Sequence, residues 1–208
     1  MSQFIESIKV EDQKAFLMEF HQKRVNDTFA HFGAQGSIDL EKIFKSLEHD
    51  EDGLYKLRIV YDLNRNFKHQ MIPYAIPEIE NFQLVENNSF DYSFKFEERK
   101  EFEKMKTKAK TEEIIIVKNN HITDTSYTNI LFLKGETWYT PTTYLLNGVM
   151  RQHLLKEKKI KEAEITLQNI REFSHFQLIN SMNDFDDMFI YPIERIVNLP
   201  ESLEYLGV

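Results

Sequence analysis

The sequence predicts a mixed α/β (α+β) fold built as two small domains. Three observations predict it. Strand-like alternating segments are interleaved with helix-spaced ones along the whole chain, the pattern of a mixed fold. The character changes across residues 96–111, mixed before and strand-rich with one clear helix after. The 208 residues are 41% hydrophobic and 29% charged, an ordinary balance with ample material for a core. The domains are therefore expected at residues 1–95 and 112–208, joined by a connecting segment at 96–111.

The elements follow in order. Phe4 to Val10 alternates and predicts a strand. Glu11 to Lys14 predicts a turn. From Ala15 to Phe32 the apolar spacing is helical, through Phe16, Phe20, Val25 and Phe29, with Gly33 as the stop. Ser37 is the expected cap of a second helix that turns Leu40, Ile43, Phe44 and Leu47 inward, and Asp50-Glu51-Asp52-Gly53 is its expected end. Leu54 to Leu63 predicts a strand. Ile72 to Val85 predicts an interrupted, edge-like strand, because Pro73 and Pro77 cannot donate to a ladder. The charged run from Phe96 to Thr111 predicts a short helix or lid. Ile114 to Val117 predicts a buried strand, followed by a turn at Asn119-Asn120. Asn129 to Leu133 and Trp138 to Thr140 predict further strands, the last ended by Pro141. Gly148 to Lys158 predicts a helix opening on glycine.

Composition excludes several classes. The chain has no cysteine, which removes disulfide scaffolds, thiolate metal sites and cysteine nucleophiles, and makes the cytoplasm the expected location. No apolar run is long enough to span a bilayer, and Met1 to Val10 lacks a signal-peptide core. A net charge of −8 argues against general nucleic-acid binding. The seven histidines show no metal-ligand spacing. The glycine and nucleophile signatures of phosphate-loop, Rossmann and serine-hydrolase enzymes are missing, as is the paired-histidine signature of zinc proteases.

Four features carry chemistry. Lys95 sits between Phe94 and Phe96; in a dry site its amine would be neutral and nucleophilic, and on an alternating strand it would be an ordinary surface lysine. His21 and Arg24 share a helix face, where a guanidinium could take a phosphate or simply meet water. Asn147-Gly148-Val149-Met150-Arg151 opens a helix whose amides could approach a phosphate. Asp124 lies in the polar run Thr123 to Ser126, where spacing alone favours an Asx turn over a ligand contact.

Taken in order, these segments resemble the class IV aminotransferases, pyridoxal 5'-phosphate (PLP) enzymes of fold type IV. Ile5-Glu6-Ser7-Ile8-Lys9 is similar to the family's F-E-[TS]-[IL]-[KR] strand, and His21-Gln22-Lys23-Arg24 to its H-x-x-R helix. Lys95 stands at the position of the Schiff-base lysine, with Arg99 four residues on. Ile122-Thr123-Asp124 and Asn129-Ile130-Leu131 are similar to v-T-E-x-x-x-x-N-[IL]-[FL], and Thr140-Pro141 and Gly148-Val149-Met150-Arg151 to T-P and G-[IV]-x-R. Ile179-Asn180-Ser181-Met182, with Pro192-Ile193 downstream, resembles the last phosphate-side turn.

The resemblance implies a cofactor site between two small domains, a homodimer, and a small-molecule amine as substrate, with no nucleic-acid or membrane partner. Lys95 would carry the cofactor as a Schiff base and shuttle protons. Arg24, the amides of Val149 and Met150, and Ser181 would hold the phosphate. Asp124 would face the pyridine nitrogen and keep it protonated. Asp124 replaces the family's usual Glu and is one methylene shorter, and Asn120 replaces a turn glycine. The family's segment ahead of the first strand is also missing, so the substrate pocket is expected to be more open or filled by a partner subunit.

Two stretches bear on the reaction. Asn147-Gly148-Val149-Met150-Arg151-Gln152 and Asn180-Ser181-Met182 are closer to the patterns of 4-amino-4-deoxychorismate lyase, an enzyme of folate biosynthesis, than to those of the transaminases. A lyase is the first expectation. A transaminase of branched-chain or D-amino acids is the second, and a non-catalytic PLP- or phosphate-binding member the third.

Overall fold

The computed structural model describes residues 2–47, 52–183, 185 and 189–201, and it resolves into two compact units. The first comprises Met1–Pro77, Tyr92–Glu98 and Ser181–Asp184. The second comprises Glu78–Asp91, Arg99–Asn180 and Phe185–Val208.

The first unit is an antiparallel sheet with helices packed on one face. Its strands are β1 (Phe4–Glu11), β2 (Lys14–Ala15), β3 (Leu54–Tyr61) and β4 (Phe67–Pro73), in the order β2-β1-β3-β4. Alternation along β1 puts Phe4, Glu6, Ile8 and Val10 on one face, and all four are buried. Helix α1 (Met18–His31) covers that face with His21, Val25, Thr28 and Phe29. Burying Phe29 or Ile8 there stabilises the unit by about 2–3 kcal/mol each. The helix stops where expected. Gly33 takes φ +66, and the Ala34 amide donates back to the Phe29 carbonyl at 3.0 Å. It starts later than its apolar spacing suggests, because Ala15 pairs with Val10 in β2.

Helix α2 (Leu40–Lys45) is capped by Asp39, not Ser37. The Asp39 backbone is extended and its carboxylate accepts from the Lys42 amide at 2.9 Å, whereas the Ser37 hydroxyl donates to Asn26 Oδ1. The expected terminator at Asp50-Glu51 lies outside the described residues. Pro73 ends β4 on the sheet edge, where a missing amide is tolerated.

The second unit contains β5 (Phe82–Glu86), helix α3 (Lys100–Lys108), β6 (Glu113–Lys118), β7 (His121–Thr125), β8 (Asn129–Lys134), β9 (Thr137–Pro141), helix α4 (Val149–Lys156), β10 (Lys161–Ala163), β11 (His175–Ile179) and β12 (Ile190–Pro192). One sheet has the order β5-β6-β7 and another β10-β9-β8-β11-β12. The charged run yields α3, anchored by Phe102 and Met105. Asn119 and Asn120 both adopt positive φ, 49° and 69°, and make the two-residue hairpin from β6 to β7. Much of the phenylalanine goes into this core: Phe82 packs edge-on against Phe176 at 4.8 Å, and Phe176 stacks on Tyr191.

One expectation is corrected here. Asp124 is not in an Asx turn but within strand β7, whose last four residues are all buried. Its polar neighbours are bonded internally, Thr123 Oγ1 to the Ile116 carbonyl and Thr125 Oγ1 to Thr128 Oγ1. Satisfied polar groups of this kind can sit inside a sheet without cost to the fold.

Candidate active site

In the first unit, consecutive residues of β1 hold three of the predicted site residues. The Ile5 amide donates to the Lys95 carbonyl at 2.9 Å. Glu6 binds Arg24. The Ser7 carbonyl accepts from Ser181 Oγ at 2.6 Å. Lys95 is half-buried on a segment bridged to β1 through Phe4 and Phe96, whose rings lie 5.2 Å apart.

Spacing singles out His21 only as sharing a helix face with Arg24 and does not single out Glu6, yet Glu6 and His21 are the polar centre of this unit. Both are fully buried. Arg24 Nε donates to Glu6 Oε1 at 2.8 Å, and Arg24 Nη2 donates to Glu6 Oε2, a two-pronged pair. His21 Nδ1 lies 2.5 Å from Glu6 Oε2, so that nitrogen carries the proton and donates it. His21 Nε2 is then a bare acceptor, buried and without a protein partner.

The electrostatics follow from this. Burial pushes the Glu6 carboxyl up, but the Arg24 charge and the hydrogen bonds from His21 and Arg24 outweigh it and hold the pKa down to about 2. Burial pushes His21 down, and although Glu6 opposes it, the charges of Arg24 and Lys95 add to the fall, leaving the ring neutral at pH 7. Tyr61 is pushed up by burial and by the Glu6 charge, against the opposing Arg24 charge.

Because the folded pKa of Glu6 lies below its ordinary value of 4.5, its ionised form stabilises the fold. That stabilisation, about 3 kcal/mol, is complete above pH 4.5 and is lost as pH falls toward about 2. Urea unfolding at pH 6 and pH 3 is expected to show this loss in the wild type and to show it reduced in Glu6→Gln.

In the second unit, Asp124 and the start of α4 come together through one turn. Asp124 Oδ2 accepts from the amides of Leu145 and Leu146, each at 2.9 Å. Asp124 Oδ1 accepts from Asn129 Nδ2 at 2.8 Å. Burial still raises the Asp124 pKa to about 6, against those hydrogen bonds and the Arg151 charge. The turn runs into Gly148, the N-cap of α4, which has no side-chain cap. The first helical bond runs from the Gln152 amide to the Gly148 carbonyl, so the amides of Val149, Met150 and Arg151 have no partner within the helix. They form an anion-receiving end.

Each unit, taken by itself, offers donors of the kind a phosphate group takes. Glu6 occupies one edge of the Arg24 guanidinium and leaves its Nη1 edge for an anion. The uncapped end of α4 offers neutral donors. Among the described residues there is no cluster of His, Asp and Glu that could hold a metal ion.

The sequence profile of amino-transferase class IV matches residues 3–196. An uncharacterized protein of Haemophilus influenzae is 29% identical over 187 residues, 88% of this chain and 99% of its own length. A crystal structure from Haemophilus somnus, provisionally named a 4-amino-4-deoxychorismate lyase, is 30% identical with a TM-score of 0.82, covering 89% of this chain and 98% of that one. A hypothetical aminotransferase of Mycobacterium tuberculosis in its PLP-bound form has the same fold at 13% identity, with a TM-score of 0.74 over 97% of this chain and 84% of that one. The fold is therefore that of the type IV PLP enzymes. The chain belongs to the class IV aminotransferase family, whose members are enzymes that use PLP.

Proposed function

We propose that this protein is a PLP-dependent 4-amino-4-deoxychorismate lyase that releases pyruvate and 4-aminobenzoate. The observation that carries the reading is the near full-length likeness, at 30% identity, to the Haemophilus somnus structure bearing that name. The stretch Asn147-Gly148-Val149-Met150-Arg151-Gln152, with its lyase-like pattern, supports it.

The roles are as follows. Lys95 Nζ is the covalent anchor of the cofactor. Arg24 grips the phosphate through its Nη1 edge, while Glu6 keeps the guanidinium charged and fixed. The Val149 and Met150 amides bind phosphate oxygens, and Ser181 joins them by turning its hydroxyl from the Ser7 carbonyl. Asp124 is assigned to the ring nitrogen through the lone pair that Oδ1 keeps beyond its Asn129 bond. The cofactor supplies an electron sink for the carbon that loses its proton.

Lys95 Nζ would take the proton from the amine-bearing carbon of the substrate. The electron pair left there expels the enolpyruvyl oxygen from the neighbouring carbon, and the ring becomes aromatic. Lys95 Nζ then returns the proton to the methylene carbon of the departing enol, which leaves as pyruvate.

The test is pyruvate release from 4-amino-4-deoxychorismate with no added keto acid. Stoichiometric pyruvate and 4-aminobenzoate are expected. Turnover that strictly requires 2-oxoglutarate would instead identify a transaminase. A homodimer in the cytoplasm is part of the same reading.

A further inference from the structure

The hydrogen bonds of Asp124 are the starting point. Three donors already converge on this carboxylate: two consecutive turn amides and the Asn129 amide group. A carboxylate offers about four acceptor positions, so one remains. We infer that Asp124 and Asn129 are positioning residues, a clamp that holds the Leu145–Gly148 turn and with it the amide end of α4.

Asn129 extends the clamp. Its Nδ2 donates both to Asp124 Oδ1 and to the Leu146 carbonyl, each at 2.8 Å. Its Oδ1 lies against Gly148 so closely that a Cβ built there would sit 2.0 Å from it. The carboxylate, the carboxamide and the glycine therefore fix one another's positions.

The far side of the turn is fastened separately. Arg151 donates to Asn147 Oδ1 and to the Pro141 carbonyl, and its guanidinium lies 4.5 Å over the Tyr144 ring. Gln152 Nε2 donates to the Asn147 carbonyl. With both sides held, the Val149 and Met150 amides are set before any anion arrives.

The clamp also gives a physical reason for Asp at this position. From a strand this close to the turn, a side chain longer by one bond, about 1.5 Å, would push its carboxylate past the Leu145 and Leu146 amides. An amide cannot replace it. Asn at residue 124 would set its NH2 against the NH2 of Asn129, and flipping Asn129 would turn its oxygen toward the Leu146 carbonyl.

The inference rests on the cofactor reading only where it concerns phosphate. The experiment uses inorganic phosphate, which has no ring, as the calorimetric probe on wild type, Asp124→Asn and Asn129→Ala. Amide hydrogen exchange at Leu145 and Leu146 is measured alongside. Each variant is expected to bind phosphate about tenfold more weakly, the equivalent of one such bond, and to exchange faster at both amides. The double variant is expected to be no worse than either single one, because the two residues act as a unit. Unchanged exchange and phosphate affinity in both variants overturns the clamp, and leaves Asp124 a ring partner alone. A wild type that binds no phosphate, with exchange accelerated in both variants, overturns the cofactor reading and upholds the clamp. Equal exchange at β11 in all proteins serves as the check that the variants are folded.

Discussion

Lys95→Ala is expected to lose the visible absorbance of the PLP-loaded protein and to lower pyruvate release by about 10⁴-fold, the upper range for a group that transfers protons. The fold is expected to survive. What ties this segment to β1 is backbone, through the Ile5 amide and the Lys95 carbonyl, together with the contact of Phe96 on Phe4. Alanine keeps all of these. A Lys95→Ala protein with full lyase turnover would remove the lysine from the mechanism. Circular dichroism of the variant separates lost chemistry from lost structure.

Arg24→Ala is expected to be the most destabilising single change at the site. It leaves Glu6, fully buried, with His21 as its remaining partner of the pair. Breaking one side of a buried ion pair costs about 3–5 kcal/mol, against about 1 kcal/mol for an average substitution. The Glu6 pKa rises with the loss of the Arg24 charge, because burial is then opposed only by His21, so the acid loss of stability that Glu6 gives the wild type is expected to shrink in the variant. Adding Glu6→Gln to Arg24→Ala is expected to recover part of the loss, because a neutral amide is cheaper to bury than an unpaired carboxylate. Urea denaturation of the single and double variants measures both effects. A double variant no more stable than Arg24→Ala would mean that Glu6 is not the source of the cost.

Much of the fold was legible where local chemistry dictates it. The apolar spacing and Gly33 marked α1 and its end, and the Asn pair marked the hairpin after β6. The strand β7 was not legible, because Thr123, Asp124 and Thr125 form a polar run that reads as a turn. Their burial depends on partners far along the chain, such as the Leu145 and Leu146 amides, which periodicity cannot reveal. Ser37 has the residue type of a cap, but Asp39 has the backbone geometry and makes the capping bond.

The candidate site is read mainly from its ordered motifs. Lys95, Arg24 and Asp124 were weak features singly. The partnership of Glu6 with His21 was missed, although a signal existed: Glu6 falls on the same strand face as Phe4 and Ile8. A carboxylate on an apolar face demands a partner, and the His21–Arg24 face of α1 was the available one. Asp124 and Asn129 fall in one motif, but the turn they hold lies about twenty residues later and left no such signal.

The central claim is that this chain is a PLP enzyme anchored on Lys95. Borohydride reduction of the PLP-loaded protein, then proteolysis and mass spectrometry, tests it most directly. The account predicts a bleached visible band and one modified peptide, carrying the phosphopyridoxyl group on Lys95. A modification on another lysine, or none after PLP addition, would contradict it.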